Sequence, residues 1–112
     1  MSSSPPPNEA LVELASVLGE DNVRTLVKTF LRDFPASLKE LSGGDRKNRH
    51  RIAHSLKSNA RLMGAYTLSD RMAALEERLG SDGGPDVNPQ DLMAIKTDFD
   101  RIAGSLRGFA GL

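Results

Sequence analysis

The sequence predicts an all-α domain, an antiparallel four-helix bundle with a short additional N-terminal helix. Three observations carry this. Apolar residues recur at three- and four-residue steps through four long stretches. No stretch alternates with period two for long enough to form a strand. The connections between the periodic stretches are short and punctuated by Gly, Ser, Asn and Asp. With Tyr66 and four Phe as the only aromatics, the core must be built mainly from Leu, Ile, Val, Met and Ala, which suits helix-on-helix packing.

In order along the chain, residues 1–7 form a Ser/Pro tail expected to be disordered, and residues 8–112 form the bundle domain. Asn8 can cap a short helix with apolar positions Leu11, Leu14, Ala15 and Leu18, stopped by Gly19. Asp21 is a candidate cap for the second helix. Val23, Leu26, Val27, Phe30, Leu31, Phe34, Leu38 and Leu41 give that helix a continuous apolar stripe. Pro35 falls inside it, removing one backbone donor and predicting a bend. Ser42-Gly43-Gly44 ends it, and Asp45 can start a third helix running to about Gly64. Thr67 followed by Asp70 resembles a capping box for a fourth helix with Leu68, Met72, Leu75 and Leu79 on one face and a stop at Gly80. The loop 81–89 follows. The last helix then presents Leu92, Ile95, Phe99, Ile102, Leu106 and Phe109.

Composition narrows the functions such a bundle can have. At 112 residues the chain is long enough for one real core and too short for two domains. Fifteen basic and fifteen acidic side chains cancel, so no global field argues for nucleic-acid or membrane binding. The absence of cysteine excludes disulfides and thiolate metal sites and suits a cytoplasmic protein. The N-terminus has neither the basic nor the apolar region of a signal peptide, and no apolar run reaches membrane-spanning length. Met1 followed by the Ser/Pro start favours a free-standing protein. No apolar stripe is left over once the four helices pack, so a monomer is expected.

The chemistry concentrates in the third helix. Wound at 100° per residue, it places Ile52, Leu56 and Met63 on a buried face. His54 lies opposite, in a column with Lys47, His50, Arg51, Lys57, Ser58, Arg61 and Ala65. A histidine turned away from the apolar face has no packing role there. Between Arg46 and Arg61 the chain carries six Lys/Arg and no Asp or Glu. Taken alone, that run reads as a solvated helix face. Beside a solvent-side histidine it suits an anionic partner site or an anionic adduct on the ring. Lys57, three residues on from His54, can reach oxygens of a group attached to the imidazole. Ser58, at four, leaves little bulk beside the ring. Either that smallness provides clearance for a partner, or Ser58 is an ordinary surface serine.

The segment AHSLKSNARLMGA, together with Leu75-Glu76, resembles the histidine-containing phosphotransfer (HPt) family. That family's pattern runs A-H-x-L-K-G, a small-residue segment, L-G-A, and a leucine-rich helix with L-E. Ala53, His54, Leu56, Lys57, Ala60, Gly64, Ala65, Leu68, Leu75 and Glu76 match it in order. The helix before, LVKTFLRDFPASLKEL, is similar to the family's helix preceding the histidine, and the likeness spans most of residues 9–110. Ser58 stands where the family usually has Gly. The resemblance implies that His54 is phosphorylated, that Lys57 stabilises the phosphoryl group, and that position 58 gives clearance beside the ring. It implies docking over Lys47, His50, Arg51, Arg61 and Ala65. It further implies partners that are receiver domains and a sensor or hybrid histidine kinase, with no cofactor bound to this chain and Mg²⁺ on the receiver. The chain would be a relay intermediate and not itself a kinase.

Three other readings compete. A sensor-kinase dimerisation segment also carries histidine on a helix, but typically has an acidic residue straight after it and a Thr-Pro beyond; here Ser55 follows and the next proline is Pro85. The spacing of His50 and His54 could offer two metal ligands, but positions 51–53 lack the zincin Glu and bring an arginine instead. The third is a helical interaction module that binds receivers or kinases without phosphotransfer.

Overall fold

The computed structural model describes residues 4–112. They form five helices, α1 (Glu9–Leu18), α2 (Glu20–Glu40), α3 (Arg46–Leu62), α4 (Tyr66–Gly80) and α5 (Pro89–Ala110), with no strand among the described residues. The four long helices make a bundle in which α3 packs most closely on α4. The second helix lies against α5 and α3, and α1 packs on the outside of α2. The predicted fold class is therefore the one observed.

The core follows the periodic positions. Val23, Val27, Phe30, Leu31 and Phe34 of α2 meet Ile52 and Leu56 of α3, Met63 just after it, Leu68, Met72, Leu75 and Leu79 of α4, and Ile95, Phe99, Leu106 and Phe109 of α5. At its centre Phe34 stacks on Phe99 with ring centroids 4.7 Å apart, and Phe30 tilts against both. Such aromatic contacts add to the free energy of burial alone. Leu18 and Leu26, expected on the buried stripe, are instead exposed at the margins of α1 and α2.

Helix boundaries departed from expectation at two places. Asp21 is not a cap. The second helix begins at Glu20 because Gly19, at φ +88°, ends α1 and starts α2 in a single residue; Asp21 instead pairs with Arg24 at 2.9 Å. Thr67 and Asp70 form no capping box, since α4 starts at Tyr66 on Ala65. The cause is the turn before it. The Gly64 N–H donates to the Arg61 carbonyl and the Ala65 N–H to the Ala60 carbonyl, a Schellman arrangement around Gly64 at φ +76°. Ala65 then accepts from the Ser69 N–H, so the new helix is under way before Thr67. A capping box does occur at α5, where Asn88 and Asp91 exchange side-chain and backbone bonds and Pro89 takes the first helical position. Asp45 caps α3 through the Asn48 N–H as predicted, and α2 continues through Pro35 as one helix.

The N-terminal segment is tied down at two points. Where a free tail was expected, the Ser4 N–H donates to the Gly108 carbonyl at 3.2 Å; residues 1–3 of that tail lie outside the described residues. Asn8 does two jobs. Its Oδ1 accepts the Leu11 N–H at 2.9 Å, capping α1, and its Nδ2 donates to the Met63 carbonyl at 2.9 Å, at the end of α3. Removing both bonds with Asn8→Ala should cost about 1–2 kcal/mol. Thermal unfolding should then start from a midpoint lowered by roughly 5 °C, and an unchanged midpoint would show that α1 is not held this way.

Candidate functional site

The two faces of α3 are set by residue size as well as polarity. Ala53 and Ala60 are completely buried. Having only a methyl group at these positions lets α4 approach α3 closely. Ser69, buried on α4, donates its hydroxyl to the Lys57 carbonyl at 3.0 Å, which fixes the register of the two helices. Two turns further along, that register carries Glu76 to the foot of His54.

Glu76 bridges two side chains of α3. Its Oε2 lies 2.5 Å from His54 Nδ1 and its Oε1 lies 2.6 Å from Lys57 Nζ. The histidine side chain remains 59% exposed while the glutamate is only 16% exposed, so the carboxylate is partly buried beneath an open ring. An ionised carboxylate can only accept hydrogen bonds. In neutral imidazole the proton therefore belongs on Nδ1, which leaves the lone pair on Nε2. Among the described residues Nε2 has no hydrogen-bond partner. The Lys57 ammonium holds the Glu76 carboxyl below its ordinary range, with the His54 bond adding to the effect and burial partly opposing it.

The predicted docking residues divide into groups. Lys47, Arg51, Ser58 and Arg61 are exposed around His54. Together with His50 and Glu76, Lys47 and Arg51 line a shallow groove on one side of the ring. His50 is half-buried. Its ring lies over Gly80, where an added Cβ would come within 3.0 Å of Nε2. Ala65 does not belong to the surface at all: it is buried in the core. The extrapolation from Arg61 to Ala65 failed because α3 ends at Leu62 and Gly64 turns the chain inward.

The basic run is also less available than its sequence suggests. Arg46 donates to the carbonyls of Arg78, Leu79 and Ser81 at the end of α4. Arg49 pairs with Asp86 at 2.7 Å and donates to the Gly44 carbonyl. With Lys57 committed to Glu76, the cations left facing outward are Lys47, Arg51 and Arg61. Among the described residues no group of three or more His, Cys, Asp or Glu is placed to hold a metal.

Glu76 is the residue that sequence reasoning left out of the site. Its Leu-Glu pair matched a family pattern, but nothing in one dimension said that it would reach the histidine helix beside it. The available signal was chemical: a face with no acid of its own needs one from a neighbouring helix.

Two outcomes follow from this geometry. Imidazole ¹⁵N spectra should show His54 with its proton on Nδ1, and Glu76→Ala should shift the tautomer balance toward Nε2–H; an unchanged spectrum would mean that Glu76 does not hold the ring. Folding lowers the Glu76 pKa from its ordinary 4.5, so the native state binds fewer protons there than the unfolded chain. The resulting stabilisation is complete above the unfolded pKa and is lost as pH falls through the native one. The difference in melting temperature between the wild type and Glu76→Gln should therefore be largest near neutrality and close in acid. A difference constant with pH would contradict the ion pair.

A family model for the Hpt domain matches residues 25–105, from the first turns of α2 to the last turns of α5. Comparison with curated proteins and with solved structures finds no match. The matched stretch is more than half of the chain and includes His54, Lys57, Ser69 and Glu76, the whole of α3 and α4 and most of α2 and α5. By that match, on the fold and the histidine site just described, the chain belongs to the Hpt domain family.

Proposed function

We propose that the protein is a phosphorelay intermediate that accepts a phosphoryl group on Nε2 of His54 from a receiver-domain aspartate or a histidine kinase and passes it to another receiver. One observation carries this reading. In an Hpt-family chain, the exposed His54 sets its Nδ1 2.5 Å from the partly buried Glu76 carboxylate, and the opposite nitrogen is open.

The Nε2 lone pair attacks phosphorus in line with the aspartyl oxygen; the Nε2–P bond forms as the P–O bond breaks, and the aspartate leaves as a carboxylate. The ring then bears the phosphoryl group on Nε2 and a proton on Nδ1, and so carries a positive charge. Glu76 sits at that proton and offsets the charge, acting as a positioning residue through the ring. Transfer onward is the reverse of this step with a different aspartate.

Lys57 has two anionic options, Glu76 at rest and the phosphoryl oxygens once they arrive one turn away. An ammonium on a flexible stem can be shared between them. Further neutralisation of the transferring group would come from Mg²⁺ held by the receiver's own acidic site. That site would meet Lys47 and Arg51, which speeds encounter at low salt. Ser58 leaves the neighbouring turn of α3 low enough for the approach. We assign the chain no kinase activity of its own and place it, as a monomer, in the cytoplasm with its receivers. No helix among the described residues is long and apolar enough to cross a membrane.

Incubation with phosphorylated receivers or an active hybrid kinase should label the chain. The label should be acid-labile and alkali-stable, and His54→Gln should remove it. Label that survives in His54→Gln, or no label with any partner, would overturn the assignment. Lys57→Ala should slow transfer at least tenfold, an effect of the size seen when one charge-stabilising donor is lost. Its melting temperature should fall by no more than a few degrees, because the side chain is partly solvent-exposed. Normal transfer rates in Lys57→Ala would remove the residue from the site.

A further inference from the structure

The shallow groove beside His54 lies on the N-terminal side of the ring. Its walls include Asn48, His50, Arg51, His54 and Glu76, and Lys57 is not among them. Helix geometry gives the reason. The Cα–Cβ bond of a helical residue tilts toward the helix N-terminus, so the His54 ring leans over the turn that holds His50 and Arg51. Nδ1 is tied to Glu76. A group on Nε2 therefore projects from a ring leaning over the groove, and Arg51, three residues back, is the cation one turn beneath it.

Arg51 differs from the other bases of α3 in what it holds. Arg46 is bound to carbonyls at the end of α4, Arg49 pairs with Asp86, and Lys57 pairs with Glu76. Arg51 is exposed, and its Nη2 donates to Asn48 Oδ1 at 2.6 Å. A neutral amide steadies a guanidinium without cancelling its charge. Among the described residues Arg51 has no ion-pair partner. Lys47 and Arg61 have none either, but each is seven residues from His54, roughly 10 Å along the axis. Asp45, the other acid of the groove, is at the far end, where it accepts the Asn48 N–H as the α3 cap.

We propose that Arg51 binds the oxygens of the phosphoryl group carried on His54 and is a second catalytic cation beside Lys57. Its planar fork engages two oxygens at once and so holds the group in one orientation, while Lys57 can remain with Glu76 at the foot of the ring. The inference rests on the relay reading above. It moves Arg51 from the surface on which a receiver docks to the transferring group itself. Part of the phosphoryl charge is then neutralised by this chain, whatever donor brings it.

Phosphoramidate separates the two roles, because so small a donor has no docking surface. In its reaction with the full chain the Nε2 lone pair attacks phosphorus. The Nε2–P bond forms as the donor's P–N bond breaks, and ammonia leaves with that electron pair. Arg51→Gln should slow labelling about tenfold, and Arg51→Lys, which keeps the charge but not the fork, should recover part of the loss. Lys96→Gln, which removes one charge from the exposed face of α5, should stay within about twofold of the wild type. With phosphorylated receivers, Arg51→Gln should lower kcat while KM changes by less than about twofold. An unchanged phosphoramidate rate in Arg51→Gln would overturn the inference even if KM for receivers rose, since that pattern is docking alone. Equal slowing in all three variants would overturn it as a general charge effect, and so would a wild type labelled by receivers but not by phosphoramidate. A wild type labelled by neither kind of donor would sink the relay reading itself, and this inference with it.

Discussion

The bridging carboxylate of Glu76 is the contact on which the geometry of the site depends. It is a single, partly buried acid shared by two bases one helical turn apart. Such a group would be costly to bury alone, and its two partners offset that cost while it orders both of them. A free imidazole on a surface helix would exchange tautomers and rotamers. The carboxylate ties one nitrogen to the protein and leaves the other for chemistry. The Ala53 and Ala60 methyls, the Ser69 hydroxyl and the turn at Gly64 all serve the same end, since each is needed for α4 to lie close enough and in the right register.

The basic residues of α3, contiguous in sequence, are divided by function in space. Those at its start close the pole of the bundle: Arg46 satisfies carbonyls at the end of α4, and Arg49 holds the 81–89 loop through Asp86. Arg78 completes the same pole by a two-pronged bond to Asp91, which also belongs to the α5 capping box. Helix ends leave carbonyls without intrahelical partners, and guanidinium groups are well shaped to satisfy several at once. The field around His54 is therefore made by a few outward cations rather than by the whole run, and it is strongest on one side of the ring.

That asymmetry recurs at the level of the surface. One flank of His54 is basic and shallow. The other is a groove between α1 and the end of α3, lined by Leu14, Val17, Leu62 and Tyr66 with Glu9 and Glu13 on α1 and Arg61 on α3.

The all-α class, the five helices and most of the core were determined by sequence alone, because an apolar stripe of period near 3.6 is a local property that burial then enforces, as at Val27, Phe30 and Phe34. His54, Lys57 and the small residue at 58 were legible for the same reason: their spacing on one helix is fixed by helical geometry. Helix starts were less legible. Asp21 and Thr67 are good caps in isolation, but Gly19 and the Gly64 turn had already begun the helices, and turn closure outweighs a side-chain preference. Ala65 was misplaced because helical extrapolation does not know where a helix ends. Glu76 as the partner of His54 and Lys57, the diversion of Arg46 and Arg49 to helix ends, and the groove formed with α1 were decided only by tertiary structure. Each depends on which helices lie side by side and at what register, and that is set by packing across the bundle, which no local pattern encodes.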